Sequence, residues 1–115
     1  MRRGEVRLVD FDPARGAEAA KRRPAVIVSN DQANTTAARL GRGVLTVVPL
    51  TSSVERVYPF QVLLPAGTAG LPHDSKAQAE QIRSVAVQRI GELLGSASGP
   101  IMASLDRALR LHLAL

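Results

Sequence analysis

Three cations, Lys21, Arg22 and Arg23, stand directly before a proline and the most apolar short run of the chain. Pro24 fixes the backbone φ angle and lacks an N–H donor, and the β-branched residues within 25–28 are typical of a buried strand. Because a strand that begins at proline usually lies at an edge or an end, we expect Arg23 at the rim of a sheet. A guanidinium on such a rigid mount suits chemistry on an anionic substrate.

Hydroxyl side chains form a second candidate group. Thr51, Ser52 and Ser53 follow the apolar residues 44–50, which have the composition of a strand. A hydroxyl at a strand end can donate a hydrogen bond to a phosphate oxygen, or it can cap a turn. The sequence leaves both interpretations open.

A long connection separates the first two predicted strands. Residues 12–22 are rich in small residues, contain Pro13 and Gly16, and carry several charges. Loops of this length in so small a domain are often functional. The alternative is a plain connection with solvated charges.

The composition predicts a single domain, 1–115, in the cytoplasm. The chain has 115 residues, 45% of them hydrophobic, which is enough for one core. No apolar run approaches the roughly 18 residues of a membrane span, and the first ten residues lack the apolar stretch of a signal peptide. Cysteine is absent and histidine occurs only at positions 73 and 112, so we expect neither disulfides nor a metal centre.

The charge balance points to a polyanionic partner. The formal net charge is +5 and the isoelectric point is near 11.0, and a compact domain this basic attracts nucleic acid above all. A merely solubilising arginine-rich surface is the alternative. Phe11, Tyr58 and Phe60 are the only aromatic residues, too few for the stacking platform of a general single-strand binder.

Hydrophobic patterning predicts the elements that hold these residues. Strands are expected at 5–11, 25–28, 44–50 and 58–64, with further strands in the second half of 76–87 and, unless it is a turn, at 90–94. Short helical turns are expected over 32–40, and an amphipathic helix over 101–113 in which Asp106 pairs with Arg110. This order favours a mainly β (α+β) fold, a small antiparallel sheet or barrel with a C-terminal helix.

In combination these segments resemble one family. The order DFDPARGAEAAKRRPAVIVSND, VVPLTSS, YPFQV and KAQAEQIRSVA is similar to that of the MazF/PemK/Kid toxins, which are sequence-selective endoribonucleases of bacterial type II toxin-antitoxin systems. The resemblance extends from Arg3 to the final helix. It implies an SH3-like barrel and a homodimer that cuts single-stranded RNA without metal or cofactor and is silenced by a cognate MazE-type antitoxin.

The resemblance also implies site residues. The arginine of the family's Arg-Pro motif falls on Arg23, and the threonine after the third strand falls on Thr51. The acidic residue of the first loop falls on Glu18, and Glu80 resembles an acidic residue of the Kid branch. That branch also uses a first-loop histidine, which this chain lacks. His73 is expected to be an ordinary loop residue.

Metal-independent RNA cleavage needs three groups, and the implied residues can be matched to them. The 2′-hydroxyl must lose a proton, the leaving 5′-oxygen must gain one, and the phosphorane needs positive charge; the products are 2′,3′-cyclic phosphate and 5′-hydroxyl ends. Arg23 can supply the charge but is an awkward proton donor. Thr51, with Ser52 beside it, can donate a hydrogen bond, and Glu18 is the candidate base. Further RNA contacts are expected from Arg15, Lys21, Arg22 and Arg56.

Two other functions compete with RNA cleavage. CcdB-like gyrase poisons share the fold, but they act through a C-terminal tail that bears tryptophan, whereas this chain has no tryptophan and ends RLHLAL. A passive RNA-binding barrel would be served equally well by the basic charge. Mutation of Arg23 and Thr51 separates these alternatives from catalysis.

Overall fold

The computed structural model describes residues 1–12, 16 and 21–115, and within them the chain forms seven strands and two α-helices. The elements are β1 (Glu5–Asp10), β2 (Arg22–Ile27), α1 (Asp31–Leu40), β3 (Val44–Thr51), β4 (Gln61–Leu64), β5 (Ser75–Gln78), β6 (Arg83–Ala86), β7 (Ile90–Ser96) and α2 (Gly99–Leu113). Single 3₁₀ turns join β5 to β6 and β6 to β7. No helix of this described part is long and apolar enough to cross a membrane.

All strand pairs in the sheet are antiparallel, and β3 is its hub. The strand order is β4-β5-β3-β2-β1-β7, and β6 also pairs with β3. One side of β3 pairs with β2, while its other side pairs with β6 over 44–47 and then with β5 over 50–51. Pro49 lies at this change of partner. It is buried inside the strand rather than at an end or edge, and it is tolerated there because the ladder on that side is already interrupted.

Pro24 likewise lies inside a strand rather than at its start. Residues 22–24 pair with β1 alone, Arg23 opposite Val9 and Pro24 opposite Leu8, whereas pairing with β3 covers only 25–27. The expectation that the strand begins at the proline is therefore wrong. The expectation of a rim position holds for one side only, because β1 pairs with residues 22–24 whereas pairing with β3 begins at Ala25.

Two hydrophobic clusters occupy the two faces of the central strands. Val26 and Val48 belong to the cluster that α2 covers, while Ile27 and Val47 belong to the cluster that contains Ala37 of α1. Alternation along a strand sends neighbouring side chains to opposite faces. Because both faces are covered, β2 is apolar over 24–27 and β3 over 47–50, and these segments form the centre of the fold.

Both helices begin at polar caps. The Asn30 side chain accepts a hydrogen bond from the Ala33 amide at 2.8 Å, and Gly41 ends α1 in the left-handed conformation. Ser98 caps α2 by accepting from the Ile101 amide, with a proline in the first turn. The predicted short turns after Asn30 are thus a full ten-residue helix.

The predicted pair between Asp106 and Arg110 is wrong. Asp106 instead accepts a hydrogen bond from Arg3 at 2.6 Å, and Arg3 Nε donates to the Val28 carbonyl oxygen at 2.9 Å. The carboxylate thus pairs with a residue near the N-terminus and not with the i+4 residue of its own helix. This ion pair joins the N-terminus to α2 and to the end of β2.

Local preference does not predict the bounds of the strands in two segments. Residues 75–78, whose Ala and Gln favour helix, form β5 because they complete the sheet between β3 and β4. The predicted strand 58–64 begins only at Gln61, whose amide donates to the Tyr58 carbonyl and closes a turn. The predictions of β6 and of a strand after residue 90 are confirmed.

The loop between β4 and β5 is fixed by internal bonds and by close contact with β7. The Ala66 amide donates to Asp74 at 2.8 Å, and the Gly67 amide donates to the Leu71 carbonyl at 2.8 Å. Leu71 is 2% exposed. Gly70 has φ +74°, and a Cβ added there would lie 1.9 Å from the Leu94 carbonyl oxygen, so the loop backbone lies directly on β7.

Gly70→Ala is expected to destabilise the protein more than Gly67→Ala. Both glycines have positive φ, but Gly67 has nothing within 4 Å of an added Cβ, so its variant suffers backbone strain alone, about 1–2 kcal/mol. Gly70→Ala adds a steric clash that costs roughly 2 kcal/mol more. Urea unfolding of both variants measures the difference. Equal losses would show that the loop does not depend on contact with β7.

Candidate active site

A cavity of about 360 Å³ opens where β2 and β3 part. The two strands pair through Ala25 opposite Pro49, and the same register continued by two residues places Arg23 opposite Thr51. Residues opposite each other in an antiparallel pair lie on the same face. β3 has already turned to β5 at this point, where Thr51 pairs with Lys76, so the two side chains face each other across a space rather than across a ladder.

The wall of the cavity combines cations and hydroxyls with a partly apolar lining. It is lined by Lys21, Arg22, Arg23 and Pro24 before and within β2, by Leu50, Thr51 and Ser52 at the end of β3, and by Leu71, Pro72, His73 and Ser75 after β4. No carboxylate lines it among the described residues. Guanidinium, ammonium and hydroxyl donors without a competing anion are the groups that hold a phosphodiester.

The basic run is held by contacts of Lys21. Its amide donates to Asp12 Oδ1 at 2.6 Å, and its carbonyl accepts from the Phe11 amide at 3.0 Å. Lys21 has φ 63°, a left-handed conformation that is uncommon outside glycine. These contacts fix the direction in which the chain enters β2, where Arg22 is exposed and Arg23 is half-buried.

Thr51 can cap a turn and donate a hydrogen bond to a phosphate at the same time. Its Oγ1 accepts a hydrogen bond from the Ser53 amide at 3.2 Å, so it caps the turn after β3. A hydroxyl that accepts in this way keeps its own O–H free to donate. The turn therefore orients Thr51 without using the proton that a phosphate oxygen would accept.

The other predicted residues have different placements. Ser52, Lys21 and Arg22 share the cavity with Arg23 and Thr51. Glu18 and Arg15 lie outside the described residues.

Arg56 lines a separate depression with Ser53, Glu55, Tyr58 and Lys76. Glu80 is absent from the wall of the main cavity, and its carboxylate instead accepts from Gln61 Nε2 at 2.7 Å.

Buried polar groups support the loop between β3 and β4 from below. Lys76, 8% exposed, donates from Nζ to the Arg56 carbonyl oxygen at 2.6 Å. Gln61, which Glu80 orients, accepts from the Tyr58 amide at 3.1 Å. The loop therefore holds a fixed shape next to the cavity.

Two aromatic rings and a cation lie on this supported loop. The Tyr58 and Phe60 rings stack with centroids 5.4 Å apart and planes 2° apart. The Arg56 guanidinium lies 5.8 Å from the Tyr58 ring centroid, and Tyr58 is 41% exposed. An exposed ring beside a cation is suited to stack on an unpaired nucleobase.

The whole chain matches one family. The model described as PemK-like, MazF-like toxin of type II toxin-antitoxin system matches residues 2–113. The chain belongs to this family. The predicted resemblance is thereby confirmed, and it covers every element that forms the cavity.

Individual relatives of this MazF-like toxin agree in sequence and fold. Endoribonuclease MazF9 of Mycobacterium tuberculosis is 64% identical over 115 residues, which cover 100% of this chain and 98% of the relative. MazF of Deinococcus radiodurans superposes with a TM-score of 0.82 at 28% identity, covering 100% of this chain and 97% of the other. A MazE-MazF structure from the same organism has a TM-score of 0.75 at 25% identity, covering 100% and 96%. The predicted antiparallel fold with a C-terminal helix is confirmed.

The wall of the cavity in this MazF-like toxin also contains a histidine, His73, to which the sequence assigns no role. It is exposed, and it lies in the wall that also contains Arg23 and Thr51. The local sequence LPHDS does not predict a functional role for His73, because its position at the cavity depends on how the β4–β5 loop folds. The need of the cleavage reaction for a proton donor is the one feature that could have pointed to this histidine.

Glu80→Ala is expected to destabilise this MazF-like toxin by about 1–2 kcal/mol, because it leaves the buried Gln61 amide group without its acceptor. Glu55→Ala is the matched control. Glu55 is exposed on the loop itself, and its removal should change stability by less than about 0.5 kcal/mol. Urea unfolding measures both. A Glu80→Ala loss no larger than the Glu55→Ala loss would contradict a supporting role for Glu80.

Proposed function

We propose that this chain cuts single-stranded RNA, sequence-specifically and without a metal, in the cavity between β2 and β3. As a member of the PemK-like, MazF-like family, the protein is a toxin endoribonuclease of a type II toxin-antitoxin system. The observation that supports this site is the opposition of Arg23 and Thr51 at the end of the β2–β3 ladder, within a cationic wall.

Arg23 stabilises the charge that develops on the phosphate. When the 2′-hydroxyl attacks, the phosphorane gains negative charge on its non-bridging oxygens, and a guanidinium can hold two of them at once. Its position inside β2, paired with Val9 of β1, means that little backbone order has to be gained on binding. Thr51 donates to the same group of oxygens from the opposite strand.

Glu18 accepts the 2′-hydroxyl proton in this scheme. Lys21, a residue of the cavity wall, is bonded to Asp12 and to the Phe11 amide, so both ends of the connection that carries Glu18 are tied beside the cavity. The family's first-loop acidic residue falls on Glu18, and a carboxylate is a group that can accept this proton.

The remaining cations and the stacked rings hold the RNA on either side of the scissile bond. Lys21, Arg22 and Ser52 contact phosphates near the cavity, Arg56 contacts the RNA backbone where it passes the β3–β4 loop, and Arg15 is a further cation for RNA phosphates. Tyr58, 41% exposed, offers aromatic surface to an unpaired base. Because single-stranded bases are free to unstack, they can be read there, whereas a duplex would keep them paired.

The toxin acts in the cytoplasm as a single domain of residues 1–115, as a homodimer with a MazE-type antitoxin. The MazE-MazF complex of D. radiodurans pairs a relative with an antitoxin. The net charge of +5 favours an acidic antitoxin segment that covers the cations of the cavity. Occupation of that wall excludes RNA, which explains inhibition without any change of fold.

Arg23→Ala and Thr51→Ala are each expected to lower the single-turnover rate of RNA cleavage by roughly 10²–10³-fold, because each removes a donor aimed at the transition-state charge. Arg39→Ala and Thr36→Ala, exposed positions on α1, are the matched controls and should cut at the unmodified rate.

Affinity for a non-cleavable 2′-deoxy analogue should fall by less than about tenfold in both site variants, since other phosphate contacts remain. A site variant that cuts normally would remove that residue from the mechanism. Intact RNA with the unmodified protein, over many sequences, would instead favour an RNA-binding module or a gyrase poison.

A further inference from the structure

One proton transfer of the proposed cleavage has no group assigned to it. The leaving 5′-oxygen needs a proton as its bond to phosphorus breaks, because an alkoxide is a poor leaving group. A guanidinium holds its protons at any relevant pH, which makes Arg23 unsuited to this transfer. The Thr51 hydroxyl is a hydrogen-bond donor but too weak an acid to give up its proton.

His73 is in the right place for this role. Its side chain belongs to the wall that contains Arg23 and Thr51, on the loop that faces both strand ends. It is exposed, so a phosphodiester bound in the cavity can contact it. Imidazole is the side chain that serves most often as a general acid or base in enzymes.

The backbone around His73 is fixed on both sides. Its carbonyl oxygen accepts from Ser75 Oγ at 3.1 Å, and the next side chain, Asp74, accepts from the Ala66 amide at 2.8 Å. Two residues earlier, Leu71 is anchored in the core, and Gly70 rests on the backbone of β7. A histidine on a loop this constrained is presented to the cavity at little entropic cost.

We infer that His73 is the general acid of the cleavage, an inference that rests on the proposed function. The 2′-oxygen attacks phosphorus while its proton passes to the Glu18 carboxylate. The new O2′–P bond closes the cyclic phosphate, the P–O5′ bond breaks with its electron pair on O5′, and the His73 imidazolium gives that oxygen a proton. The enzyme ends with a protonated Glu18 and a neutral His73, which exchange protons with water before the next turnover.

The test compares two RNA substrates that differ only at the leaving atom. His73→Ala and His73→Gln are expected to cut ordinary RNA roughly 10²–10⁴-fold more slowly than the unmodified protein in single-turnover assays. When sulfur replaces the bridging 5′-oxygen, the leaving thiolate needs no proton, since ordinary thiols have a pKa of about 8.5. On that substrate both variants should come within about tenfold of the unmodified protein.

Two controls accompany these variants. Arg23→Ala should remain impaired on both substrates, because charge stabilisation is needed whatever the leaving atom. His112→Gln, an exposed histidine on α2, should cut both substrates at the unmodified rate. Urea unfolding confirms that the His73 variants are folded, as expected for an exposed side chain.

The possible outcomes separate a failure of the role of His73 from a failure of the proposed nuclease function. Full activity of the His73 variants on ordinary RNA would overturn the inference and leave the proposed nuclease intact. Equal loss on both substrates would also overturn it, since that pattern describes a residue that positions RNA rather than one that protonates the leaving group. If the unmodified protein cut neither substrate, the proposed function itself would fail.

Discussion

Pro24 limits how far β2 and β3 can pair, and the candidate active site depends on that limit. This residue has no N–H to donate to β3, and pairing ends at Ala25 opposite Pro49. Beyond this point β3 pairs with β5 and β2 pairs with β1, so Arg23 and Thr51 keep the register of the β2–β3 pair while they belong to different ladders. A continuous ladder would draw the strands together and close the cavity. The interruption converts two strand ends into opposite walls of a substrate site.

The rest of the molecule keeps those walls in place. Both faces of the central strands are buried, by α2 on one side and by the cluster that includes α1 on the other. The two loops beside the cavity are also fixed, one by Lys76 and Gln61 and the other by its contact with β7. Groups that must meet a transition state within a fraction of an ångström are thus carried by elements that do not have to reorganise.

The sequence predicts part of this site well, for physical reasons. An arginine before a strand proline and a threonine after an apolar run are local signals, and the family resemblance joins them into one site. Local sequence signals do not predict secondary structure or side-chain pairing where a residue distant in the chain determines them. Residues 75–78 favour helix but complete a sheet, and Asp106 prefers Arg3 to the neighbour on its own helix. The sequence gives no signal for His73, because only the folded β4–β5 loop brings it into the cavity wall that also contains Thr51.

In the proposed mechanism, RNA bound in the cavity between β2 and β3 is cleaved by internal attack of the 2′-hydroxyl. End-group analysis of mixed-sequence single-stranded RNA, incubated with the purified protein in excess EDTA, tests it most directly. We expect upstream fragments that end in 2′,3′-cyclic phosphate and downstream fragments that begin with 5′-hydroxyl. Fragments with 3′-hydroxyl and 5′-phosphate ends, or cleavage that EDTA abolishes, would contradict it, because both require an activated water in place of the neighbouring hydroxyl.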